Sequence, residues 1–250
     1  MELLTQAGIP LTSGTALAAL AIGAAAGVVR GVTGFGAAMV MAPPLALLLG
    51  PAVTVPLVLI LEAFAAAPML PQASRQARWP VLLPILAGAA LCVPLGTALL
   101  SQLDPAFTRR AIAFVVLAFS IVLLTGLRWS GPYRRSTGLV LGGVGGTLLG
   151  ATSIGGPPVV LYLLSGPDDA PTTRATLTLY VALSAALGLA ALAWRGAVPA
   201  ATLALGLAMT PVFMLGVVYG GRLFARLSEA RFRRFTIWLM LTVSAWVLVA

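Results

Sequence analysis

Histidine is missing from this 250-residue chain, and cysteine occurs once, at Cys92. A single thiol cannot close an internal disulfide. Without imidazole there is no histidine-ligated haem, no Cys/His zinc site and no histidine proton relay. Cys92 stands in an apolar run and reads as a small packing residue. Charge is scarce as well: 8% of residues carry it, against about 25% in a soluble domain. No ATP-binding motif, no Asp-rich metal motif and no nucleophile–base spacing occurs, so neither an enzyme nor a cofactor is expected. No basic residue precedes Arg30, and the start of the chain does not resemble a cleaved signal peptide.

What remains is 60% hydrophobic, with no room for a soluble domain between the apolar runs. The chain therefore reads as an all-α integral membrane protein, a single membrane domain over residues 1–250. The net charge of +9 comes from fifteen basic residues, mostly at segment ends. That pattern anchors and orients a protein in a bilayer and does not indicate nucleic-acid binding. After a short amphipathic or disordered lead over 1–12, ten apolar segments are expected: 13–32, 36–50, 52–70, 79–100, 108–127, 137–150, 155–164, 174–194, 198–221 and 232–249.

The two halves, 13–128 and 136–250, resemble each other. Shifted by 119 residues, Gly27, Gly31, Thr33, Gly36, Val40 and Leu45 match Gly146, Gly150, Thr152, Gly155, Val159 and Leu164. Later in each half the shift is 124, and Gly96, Leu103, Ala106, Arg109 and Arg110 match Gly220, Leu227, Ala230, Arg233 and Arg234. Each half carries one glycine-rich interruption: Gly31 to Gly36 in the first, Gly150 to Pro158 in the second. If these only kink a helix, the repeats are parallel. If the chain reverses there, each half has about five segments and the repeats are inverted.

Counting arginines separates the two arrangements. With reversal, Arg75, Arg78, Arg128, Arg134, Arg135, Arg174, Arg222, Arg226, Arg231, Arg233 and Arg234 share one face, eleven against the three of Arg109, Arg110 and Arg195. With kinks the split is six against eight. The first split favours inverted repeats, with both chain ends outside the cytoplasm. It does not distinguish a full crossing from a hairpin that dips in and returns.

Irregular backbone inside a membrane must line protein or a water-filled cavity, so the paired breaks are the best pointer to a site. Pro157 and Pro158 suit the first turn of a new helix. Each new helix would aim free N–H groups and its positive dipole end at the break. Thr33, Gly34, Phe35 and Gly36, with Thr152, Ser153, Gly155, Gly156 and Pro157, are the candidate anion-binding residues. The plainer reading is that the glycines serve helix packing and the prolines kink. Arg30 stands one residue before the first break, placed to neutralise an anion or to snorkel to an interface. Glu62 is the carboxylate well inside an apolar segment, and could carry a proton, pair with Arg30 or hydrogen-bond in the bundle. Arg174, near Asp168 and Asp169, reads as a local loop ion pair, and the Arg231–Arg234 cluster as a cytoplasmic anchor. Phe35 and Ile154 occupy matching places, as apolar gates or as core.

The run Arg30-Gly31-Val32-Thr33-Gly34-Phe35-Gly36 followed by Pro43, with Gly155-Gly156-Pro157-Pro158 in the second half, resembles the paired signatures of the TauE/SafE sulfite exporter family. The resemblance extends over nearly the whole chain. Where many members continue in glycine, this chain has Phe35 and Ala37. The resemblance implies a multi-pass protein of the bacterial inner membrane that exports sulfite, a sulfonate or another small organosulfur anion. It also implies a site over Thr33 to Gly36 and Thr152 to Pro158. An anion channel and a proton- or sodium-coupled carboxylate importer stand as alternatives, and a homo-oligomer is left open. Export needs no coupling ion: one negative charge leaving across 100 mV gains about 2.3 kcal/mol, roughly 50-fold in concentration.

Overall fold

The computed structural model describes residues 13–125, 133–224, 238, 241–242 and 244–249. The expected lead, Arg128, the Arg231–Arg234 cluster and much of the tenth apolar segment lie outside the described residues. The helices are α1 (Ser13–Thr33), α2 (Ala37–Leu49), α3 (Pro51–Ala66), α4 (Leu70–Gln76), α5 (Trp79–Gln102), α6 (Pro105–Thr125), α7 (Arg135–Thr152), α8 (Gly156–Leu164), α9 (Ala170–Trp194) and α10 (Ala200–Phe224). A 3₁₀ turn, Ala67–Met69, joins α3 to α4, and no strand occurs among the described residues.

Proline starts several helices, where its missing N–H costs nothing. Aspartate caps two of them. Asp104 Oδ1 accepts from the Ala106 and Phe107 N–H groups at 2.8 and 3.1 Å, and Asp169 accepts from Thr172 N at 3.1 Å.

Among the described residues, six helical stretches are long and apolar enough to cross a membrane: Gly14–Thr33, Pro51–Gln76, Trp79–Gln102, Pro105–Thr125, Pro171–Trp194 and Ala200–Leu223. The third expected segment thus runs on through α4. At 1.5 Å per residue, α2 with 13 residues and α8 with 9 are too short to cross.

The largest interhelical contacts are α5 with α7 and α1 with α10. Both are glycine seams. A Cβ at Gly142 would lie 1.9 Å from Ile85 O, and one at Gly150 would lie 2.6 Å from Val93 O. In the other seam, a Cβ at Gly27 would lie 2.3 Å from Phe213 O, and one at Gly31 would lie 2.1 Å from Val217 O. Contacts advance in step along both chains, so the helices of each pair are parallel.

One end of the bundle is set by arginines. Arg78 pairs with Asp168 and lies 5.4 Å over the Tyr133 ring, while its N–H donates to Thr176 Oγ1 at 2.9 Å. Burial first, then the Asp168 carboxylate, push the Tyr133 hydroxyl up to about 12, so it stays protonated. Arg134 N donates to Tyr162 Oη at 3.0 Å. Helices α5, α7 and α9 therefore all begin at this end. Helix α1 finishes there, because Gly34 lies beside Arg174. The α1/α10 pair consequently runs opposite to the α5/α7 pair. Helix α8 doubles back along α7: a Cβ on Gly145 would lie 2.7 Å from Gly155 O. Helix α2 also packs against α1.

The seams predict a graded response. Gly142→Ala should destabilise by about 1–3 kcal/mol, roughly 2–10 °C in Tm, because two backbones must separate. Gly221, exposed on α10 with its would-be Cβ 3.9 Å from Gly31 O, can take a methyl at ordinary contact distance, so Gly221→Ala should hold stability or raise it by up to about 1 kcal/mol. Thermal unfolding in detergent checks both, and equal losses would refute the close approach.

Candidate functional site

At the first break the Thr33 hydroxyl donates back to Val29 O at 2.8 Å, contacts Phe35 O, and accepts from Phe35 N at 3.3 Å. At the second, Thr152 Oγ1 donates to Leu148 O at 2.7 Å and accepts from Ile154 N at 3.2 Å. Each threonine thus satisfies backbone freed by the interruption, as buried polar groups require. The next residue is left-handed in both breaks, Gly34 at φ +78° and Ser153 at φ +62°. Ser153 is the one non-glycine with positive φ among the described residues. Holding it there costs on the order of 1 kcal/mol, and such strain clusters at functional sites. Its hydroxyl donates to Thr152 O.

The two breaks meet. Phe35, Gly36 and Glu62 from the first half, with Ser153, Gly155, Gly156 and Pro157 from the second, line one cavity of about 50 Å³. That is several times the space one water needs. Ile154 also faces it. Thr33, Gly34, Thr152 and Arg30 do not line it. Two polar residues that the sequence did not single out do, Tyr180 and Ser184 of α9. Tyr180 Oη donates to Gly155 O at 2.9 Å, tying α9 to the second break. The remaining lining is apolar, with Leu59, Phe119, Leu149 and Val181 among it.

Arg30 and Glu62 form an ion pair, each only 4% exposed. Glu62 Oε1 also accepts from the Ala38 N–H at 3.2 Å. Its carboxylate therefore sits on the first turn of α2, where the helix dipole favours negative charge. A buried carboxylate is costly without partners, and this one has a cation and a helix end.

Arg174 departs from the expected loop pair. Asp168 is taken by Arg78, and Asp169 caps α9. Arg174 lies one turn into α9, exposed, with its Nε 3.4 Å from where a Gly34 Cβ would be. The loop carboxylates were the nearest partners along the chain, but the fold spends both elsewhere.

A family model described as Sulfite exporter TauE/SafE matches residues 19–247. The chain belongs to the TauE/SafE family. It is accordingly a multi-pass secondary transporter of a small anion such as sulfite, of the bacterial inner-membrane kind, and not an enzyme. No curated protein and no solved structure matches the chain.

The ion pair can be tested by a mutant cycle. Arg30→Met alone leaves the Glu62 carboxylate buried and uncompensated, and should cost about 3–5 kcal/mol. Arg30→Met with Glu62→Met should regain most of that loss in denaturant unfolding. A double variant no more stable than the single one would show that the pairing does not matter.

Proposed function

We propose that this TauE/SafE protein is a carrier that holds one small anion, sulfite or a sulfonate, between its two breaks and exports it by alternating access. The observation that carries the reading is that both interruptions, far apart in sequence, line a single cavity inside the bundle. Helix α8 starts there at Gly156, and Gly155 and Ser153 stand beside it. A helix end, backbone N–H groups and one hydroxyl suit an oxyanion. Ser153, Gly155, Gly156 and Pro157 form the contacting half. Phe35, Gly36 and Glu62 close the other side. Thr33, Gly34, Thr152 and Arg30 act behind them, holding the breaks and the carboxylate in place.

Inverted repeats, 13–128 and 136–250, are the frame of this mechanism. Their support is a correspondence of contacts. Shifting Gly31 by 119 gives Gly150, and shifting its neighbour Val93 by 124 gives Val217. Gly31 in turn abuts Val217, as Gly150 abuts Val93. The two seams run in opposite directions, as a two-fold axis in the membrane plane would require. The first helix of each repeat thus rests on the other repeat, which gives two bodies that can rock about the cavity. With Glu62 held by Arg30, no proton carrier is needed, and the membrane potential drives the anion outward.

Counterflow in proteoliposomes is the test. Unlabelled sulfite is loaded inside, labelled sulfite is supplied outside, and the potential is clamped at zero. Transient accumulation of label establishes a carrier for this class. Potential-driven flux without counterflow points to a channel, and dependence on an imposed proton or sodium gradient to a coupled importer.

Ser153→Gly separates site from fold. It relieves the left-handed strain, so unfolding stability should hold or rise. Sulfite half-saturation should rise about tenfold, the worth of one hydrogen bond to a charged group. Unchanged half-saturation would remove Ser153 from the site.

A further inference from the structure

We infer that the first break is itself an anion-binding half-site, which the chain fills permanently with its own Glu62 carboxylate. The inference deepens the proposed carrier reading, but its central test does not require transport. The two breaks can be compared position by position at the 119-residue shift. Phe35 corresponds to Ile154, Gly36 to Gly155 and Ala38 to Pro157, and all of these line the cavity. The charged pair has no counterpart. Arg30 corresponds to Leu149 and Glu62 to Val181, both apolar and both at the cavity.

At the first break, a carboxylate oxygen accepts from Ala38 N, and the carboxylate meets the Arg30 guanidinium, itself 4% exposed. A cation and a helix N–H converging on one oxyanion group is what a bound small anion would receive. Here the anion is covalently attached. The second break has no carboxylate of its own and, with Pro157 in the place of Ala38, no N–H at that position, so its donors to an anion are the N–H groups of Gly155 and Gly156 and the Ser153 hydroxyl. The protein therefore presents one open anion position per cavity. In the filled one, Arg30 and Glu62 cancel.

Removal of the tethered carboxylate should turn the first break into a site for a free one. In an anion-poor buffer Glu62→Ala should be less stable than the unmodified protein. Formate, the same functional group in a size that fits the vacated volume, should restore it saturably. At several times its Kd, formate should raise Tm by about 2–4 °C. Neither the unmodified protein nor Arg30→Met/Glu62→Ala should respond, because one has its site filled and the other lacks the cation. Labelled sulfite bound at saturation should go from one per chain in the unmodified protein to two in Glu62→Ala. Should Glu62→Ala fail to fold, Glu62→Ser, which also vacates the carboxylate's place, is read in the same two assays.

A formate response of equal size in all three proteins would overturn the inference. So would its absence from both folded Glu62 variants. Formate rescue without sulfite binding to the unmodified protein would leave the tethered carboxylate standing and discard sulfite as the cargo.

Discussion

Backbone interrupted inside a membrane frees N–H and C=O groups that lipid cannot satisfy, and the rest of this structure follows from satisfying them. The hydroxyls of Thr33 and Thr152 each bridge a residue before the break and one within it. Tyr180 reaches across from α9 to Gly155 O, and Glu62 reaches from α3 to the Ala38 N–H. Each partner has to be within about 3 Å, so the breaks can exist only where several helices enclose them. The same enclosure makes the cavity.

The glycine seams provide the room. Where α5 lies on α7 and α1 on α10, backbone meets backbone with no side chain between. Such close approach takes the place of the hydrophobic drive that lipid-exposed helices lack. It also fixes the breaks in space, because Gly31 and Gly150, the last seam glycines of α1 and α7, lead directly into them. Packing and site are therefore one feature of the sequence read twice, and the plainer reading of the glycines is as much a part of the fold as the ligand reading.

Charge distinguishes the halves. The first break carries a buried cation and a buried carboxylate, while 119 residues further along the chain Leu149 and Val181, both lining the cavity, are apolar. The pair is neutral as a unit. A bound anion would then bring the unbalanced charge on which the membrane potential acts, and outward movement would be downhill for it. A single buried carboxylate without Arg30 would instead repel an anion from the cavity it lines.

Composition alone determined that this chain spans a membrane, because 8% charge leaves nothing to solvate a soluble surface. The breaks were legible too, since glycine and paired prolines interrupt a helix wherever they occur. The arginine pattern pointed to one charged end, and Arg78, Arg134 and Arg174 do gather at one end of the described bundle. Other features required the tertiary structure. Arg30–Glu62 was one of several fates open to Glu62, and Arg174 looked committed to the loop acids beside it. Asp168 instead meets Arg78, 90 residues away, and Tyr180 finds Gly155 at a separation of 25. Local sequence sets which residues interrupt, cap or cross, because those preferences act within a turn or two of helix. Which side chains then face each other across the cavity depends on how whole helices pack, and that is decided by contacts the chain makes only once it has folded.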